Sequence, residues 1–187
     1  MARIRPARTF RYIFSQSWSR YSQKKPRKNY IRARPHTSLL VFNMGSDRPE
    51  FDLKLTLNTK QRIQLRSNSI ESARQIINKY LETNMPGDFY FKVLVYPHMV
   101  IREHKMATGA GADRISQGMS HAFGKPVSVA ARLKEGQPVF MVKTRAKNIQ
   151  HVKKAFVRGA SKLSGLYKVN LEYATADTAS QAQQQTE

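Results

Sequence analysis

"SNSIESARQIINKYLETNMPGDFYFKVLVYPHMVIR", residues 67–102, decides the fold class, because its hydrophobic period changes partway along. Ile70, Ala73, Ile76, Ile77, Tyr80 and Leu81 recur at helical spacing and predict one buried stripe. Ser67, Asn68 or Ser69 is placed to cap that helix, since a short polar side chain there accepts from a first-turn N–H that has no partner inside the helix. "NMPGD" at 84–88 breaks the chain with Pro and Gly. The β-branched and aromatic run from Phe89 then predicts strand, bent or ended at Pro97, which has no N–H for a ladder.

Working outward, "TSLLVFNMG" (37–45) and "EFDLKLTL" (50–57) read as strands, the second with Phe51, Leu53, Leu55 and Leu57 on one face. "GSDRP" between them is a turn. Downstream, "PVSVAARL" (126–133) and "QPVFMVKT" (137–144) read as strands around "KEGQ". "NIQHVKKAFVRGASKLSG" (148–165) reads as a second helix with Ile149, Val152, Ala155, Phe156 and Leu163 inward. Gly159 weakens it by ~1 kcal/mol relative to Ala. "LYKVNLEY" (166–173) is a last strand. The order β-β-α-β-(loop)-β-β-α-β implies an α+β domain, a mostly antiparallel sheet covered by two main helices. The expected organisation is a basic arm over residues 1–36, a globular body over 37–172, and a polar, disordered tail over 173–187.

The chain has 187 residues and no Cys, so neither a disulfide framework nor a thiolate metal site is available. Its 33 Lys and Arg against 12 Asp and Glu give a net charge of +21, which opposes a compact fold unless a polyanion takes up the charge. Nucleic acid is the first candidate partner and an anionic membrane surface the second. No apolar run approaches the ~18–20 residues of a membrane span, and the N-terminus has no apolar segment of the secretory type.

The charge is unevenly placed. Residues 1–36 hold eleven Lys or Arg and no acid; the first carboxylate is Asp47. Phe10, Tyr12, Phe14, Trp18, Tyr21 and Tyr30 are interleaved with them. Cations beside stacking rings suit phosphate contacts with base or sugar packing, and a solubilising tail would not need such rings. Arg3, Arg5, Arg8, Arg11, Lys24, Lys25, Arg27, Lys28 and Arg32 are the expected phosphate contacts, with the segment ordered only on RNA. "KKPRK" (24–28) also fits a nuclear-import pattern, which has low specificity in any basic protein.

The remaining segment is "HKMATGAGADRISQGMSHAFGKP", residues 104–126, which has no clear hydrophobic period. A dinucleotide fingerprint would need Gly at 114, which is Arg; a phosphate loop would need Gly at 119 and a hydroxyl at 126, which are Met and Pro. His36, His98, His104, His121 and His151 lack metal-ligand spacing, although His98 and His104 could meet across a bend. Asp113 is expected to cap a short helix or turn. No acid–base or nucleophile constellation is present in the sequence, so neither an enzyme nor a cofactor is expected. The segment therefore reads as a surface loop, with small residues that let backbone approach a partner and with Arg102, Lys105, Arg114 and Lys125 available to phosphates.

"HMVIREHKMATGAGADRISQGMSHAFGKP" (98–126) resembles the signature of the universal large-subunit ribosomal protein family called sixteen in bacteria and ten-e in archaea and eukaryotes. "RPARTFR", "SARQIINKY" and "ARLKEGQPVFMVKTRAKN" fit the same family in the same order, and length and the lack of Cys favour the archaeal form. Arg34, His36 and Thr37 depart from the family pattern. The resemblance implies a hammerhead-like α+β fold and a cytoplasmic, ribosome-bound structural protein. Its implied partners are large-subunit rRNA, the tRNA acceptor end and neighbouring ribosomal proteins, with the small 5S rRNA region left open as a further contact. It also implies that residues 102–113, with His104, Lys105, Met106, Gly109 and Gly111, form a mobile loop near the peptidyl-transferase centre. An assembly factor or RNA-acting enzyme is the alternative class.

Overall fold

The computed structural model describes residues 34–48, 51–120 and 122–173. Among the described residues eight strands and three α-helices follow one another as β1 (Asn43–Gly45), β2 (Leu53–Thr59), β3 (Ile63–Arg66), α1 (Ser67–Asn84), β4 (Phe89–Val93), β5 (Met99–Glu103), α2 (Ala112–Ile115), β6 (Lys125–Leu133), β7 (Pro138–Thr144), α3 (Ile149–Ala160) and β8 (Tyr167–Tyr173), with a 3-10 turn at Ala146–Asn148 leading into α3. Every strand pair is antiparallel. The fold is α+β with antiparallel sheets, as the period changes predict.

The strands form two sheets, one of five in the order β1-β4-β7-β2-β8 and one of three in the order β3-β6-β5. In the larger sheet Leu55 pairs with Val142 and Leu171, and Val142 with Phe91, so alternate residues of four strands share one face. That face buries Leu53, Leu55, Leu57, Phe91, Phe140 and Val142 in one cluster with Ile70, Ala73, Ile77 and Leu81 of α1 and Val152, Ala155 and Phe156 of α3. Ile63, Leu65, Ala131 and Leu133 of the smaller sheet join the same cluster. One apolar core thus binds both sheets to both long helices.

Two expectations need correction, and two further features carry no mark in the sequence. The strand read over 37–45 is regular only at Asn43–Gly45, although Phe42 O still accepts from Val93 N at 2.8 Å and Leu39 is buried. β3 was not foreseen; "IQLR" is four residues long, follows Arg62 and itself ends in Arg66. The expected side-chain cap of α1 is absent: β3 runs directly into the helix, Arg66 occupies the cap position in an extended conformation, and Ser67 is buried. The strands flanking "KEGQ" do not pair with each other, since β6 lies in the small sheet and β7 in the large one. The turn between them is held on the end of β2 instead. Thr59 Oγ1 donates to Lys134 O at 2.7 Å, and Gly136 N donates to Thr59 O at 2.8 Å.

β4 ends at Val93, four residues before Pro97, so Pro97 does not itself end the strand but lies in the irregular link to β5, which belongs to the other sheet. Arg34 fastens the start of the described chain there, donating to Pro97 O at 2.5 Å with its guanidinium 5.1 Å from the Tyr96 ring centre.

Candidate nucleic-acid interface

β5 and β6 form an antiparallel stem whose last pairs are Arg102 with Pro126 and Glu103 with Lys125. The 104–124 loop springs from this stem. Its mouth is closed by Gly124, where a β-carbon would fall 2.6 Å from both Glu103 O and His104 N. Only a residue without a side chain lets the two limbs meet so closely. Beside it the Arg102 guanidinium lies 3.6 Å from the centre of the Phe123 ring, a cation–π contact across the stem.

Inside the loop the backbone makes its own local bonds. His104 Nε2 lies 2.8 Å from Gly118 O and ties the entering limb to the returning one. Ala112 N donates to Gly109 O, Ser116 N to Ala112 O and Ser120 N to Gln117 O, at 3.2, 2.9 and 3.2 Å. These bonds make a turn, the single helical turn α2 and a second turn. Gly111 opens α2 at φ 77°, a left-handed conformation that a side chain would strain. Asp113 lies in the first turn of α2, where its position predicted a cap or turn role, but its side chain makes no capping bond.

Of the expected RNA contacts, Arg102 is half-buried at the stem, Lys125 is exposed on the facing strand, and Arg114 is exposed on α2. His104 is half-buried; Lys105, Met106, Gly109 and Gly111 are exposed. The loop thus presents cations at its root and at α2, with a neutral small-residue segment between. Arg3, Arg5, Arg8, Arg11, Lys24, Lys25, Arg27, Lys28 and Arg32 lie outside the described residues, as does His121. Sequence reasoning passed over Ile115, Met119 and Phe123, which are 80%, 63% and 50% exposed. Large apolar side chains facing out in a segment without hydrophobic period were the available signal.

It also passed over Arg66 and Arg132 on the small sheet. Burial lowers the pKa of both from the ordinary arginine value, with nearby Glu103 opposing the shift at Arg66. Among the described residues no three His, Asp or Glu side chains converge as a metal site would need, and no helix is long and apolar enough to cross a membrane.

Residues 18–170 match the family model described as ribosomal protein L16p/L10e. The chain is 40% identical over 159 residues to the large ribosomal subunit protein uL16 of Archaeoglobus fulgidus, covering 84% of this chain and 91% of that one. It is 42% identical over 161 residues to the uL16 of Hyperthermus butylicus, covering 85% and 88%. It is 40% identical over 156 residues to that of Methanococcus aeolicus, covering 83% and 86%. With a family match across most of the chain and archaeal relatives at this identity, the protein belongs to the L16p/L10e family of ribosomal proteins, in its archaeal form.

Proposed function

We propose that the chain is a structural constituent of the large ribosomal subunit in the cytoplasm, that it binds large-subunit rRNA, and that it supports aminoacyl-tRNA placement near the peptidyl-transferase centre. Family membership supports the ribosomal part, and this is a family of structural proteins, not of enzymes. The observation that carries the finer part is the construction of the 104–124 loop. Its root is fixed by the Gly124 contact and the Arg102–Phe123 stack, while Lys105–Gly111 is exposed or half-buried and adds no residue to the core. A rigid base with cations and a small, neutral tip suits a segment anchored on rRNA phosphates whose end meets a second RNA. Neighbouring ribosomal proteins and the 5S rRNA region are further partners on this reading, and the basic residues 1–36 are its second attachment.

Replacing residues 105–112 by a short Gly-Ser link tests the proposal in reconstituted large subunits. The variant is expected to join the subunit in stoichiometric amount through a salt wash, with slower aminoacyl-tRNA entry. Normal entry would remove the tRNA role; release of the unaltered protein by the wash would favour an assembly factor.

A further inference from the structure

A second acid-free run lies within the folded body. Between Glu135 and Glu172 the chain has eight Lys or Arg and no Asp or Glu. α3 crosses the middle of this run. Val152, Ala155, Phe156 and Gly159 turn inward, which leaves Lys153, Lys154, Val157 and Arg158 exposed on the outward side, with exposed Lys162 in the turn just past the helix end. From Lys153 to Arg158 the row extends about 7.5 Å along the helix at the rise of ~1.5 Å per residue.

Three other lysines of the body meet carboxylates. Lys54 meets Glu172 at 2.7 Å, Lys143 meets Asp47 at 2.9 Å and Lys147 meets Asp88 at 3.4 Å. Lys153, Lys154 and Lys162 have no carboxylate partner among the described residues. Arg158 lies over the Tyr80 ring of α1, 4.4 Å from its centre. The helix dipole does not account for the row. It favours cations in the last turn, where Arg158 stands, but not at Lys153 and Lys154 in the first half.

We infer that this face of α3 is an RNA-backbone-binding surface separate from the arm and the loop, its lysines set on phosphates of a structured rRNA segment. The inference rests on the rRNA-binding reading above. A row of flexible ammonium groups with one small apolar side chain, the 70% exposed Val157, fits phosphates. A protein partner would call for the aromatic or arginine anchors of a protein interface core, and Arg158 is already engaged by Tyr80.

The test uses the full chain with Lys153→Gln, Lys154→Gln and Lys162→Gln combined, beside the unaltered protein and a variant lacking residues 1–36. Binding to transcribed large-subunit rRNA is titrated from 50 to 300 mM salt, with backbone-cleavage footprinting. Each lost phosphate contact lowers the slope of log K against log salt by ~0.7–0.9, so the triple variant should lose about 2 to 3 from the slope. It should also lose one protected backbone segment, different from those lost with residues 1–36. Unchanged slope and footprint would overturn the α3 surface and leave the rRNA reading standing. An unaltered protein with no salt-dependent rRNA binding would overturn both. A full slope combined with loss from reconstituted particles would mean an acidic protein partner and likewise overturn the RNA assignment. If the triple variant melts early, Lys154→Gln alone, expected to lower the slope by about 1, decides in its place.

Discussion

Gly159 of α3 lies so close to Ile77 of α1 that a β-carbon at residue 159 would come 2.6 Å from Ile77 Cγ1. Both residues are fully inside the core region where the two helices cross, and Ile77 is 0% exposed. Helix propensity alone gives Ala an advantage of ~1 kcal/mol over Gly at residue 159. Packing opposes it, because Ile77 is β-branched, stiff and surrounded by core.

Gly159→Ala is therefore expected to destabilise the protein by about 1–2 kcal/mol, overpacking outweighing propensity. Ile77→Val removes one of the two atoms in the way and by itself costs ~0.5–1.5 kcal/mol. Combined, the two substitutions should cost clearly less than their sum, since each relieves the other. Urea denaturation of the three variants checks this; strict additivity would mean that the contact carries no strain.

Two loop glycines should respond oppositely to the same change. Gly124→Ala drives a β-carbon into the backbone of Glu103 and His104, which cannot move without opening the β5–β6 stem. At Gly118 nothing lies within 4 Å of the added atom, and the cost is the left-handed φ of 57°, roughly 1–2 kcal/mol. Amide exchange of Arg102 and Glu103 should accelerate strongly in Gly124→Ala and little in Gly118→Ala. Equal acceleration would mean that the mouth is not held by close backbone contact.

Glu71 should shape the acid limb of stability. Arg74 donates to both its oxygens, at 2.8 and 2.5 Å, and Gln75 adds a bond at 2.9 Å. The hydrogen bond from Arg74 is the main cause holding the Glu71 carboxyl below its ordinary value of 4.5, with burial opposing. A carboxylate with a depressed folded pKa contributes its stability above the unfolded pKa and loses it as pH falls through the folded one. Glu71→Gln should lower stability by about 1 kcal/mol at pH 7 and by less at pH 3. Guanidinium melts at the two pH values check the difference; an equal loss at both would remove the ion pair as its cause.

Much of this architecture is legible in the residue periods, and the rest is hidden for identifiable reasons. The stripe from Ile70 to Leu81 and the alternation of Leu53, Leu55 and Leu57 state which face is buried, because burial imposes the period of the element directly. Pairing leaves no such mark. Nothing in "PVSVAARL" or "QPVFMVKT" says that the two strands join different sheets, since that depends on Thr59 holding the intervening turn. Ser67 carries a good capping side chain, yet β3 pairs through Arg66 and leaves no free residue at the helix start. At the loop, composition excluded a nucleotide cradle through Arg114, Met119 and Pro126, but the ties from His104 to Gly118 and from Arg102 to Phe123 join residues 14 and 21 positions apart and need the fold to be seen. The unpaired cations of α3 were open to a count of acids along the chain.

Arg102 has two roles that one pair of substitutions can separate. Its planar guanidinium stacks on Phe123 across the stem, and on the proposed reading its charge meets phosphate. Lysine keeps the charge and loses the planar stack. Arg102→Lys should therefore keep the salt slope of rRNA binding within a few tenths, while exchange at the loop root accelerates as it does in Phe123→Leu. Arg102→Gln should show the same faster exchange and also lose ~0.7–0.9 from the slope. The stack is worth about 0.5–1 kcal/mol at a half-buried surface site, enough to raise opening of the root a few-fold without moving global stability. If Arg102→Gln keeps the full slope, Arg102 does not touch RNA and serves only to hold Phe123. If Phe123→Leu leaves exchange unchanged, the ring does not close the stem, and the Gly124 contact holds it alone.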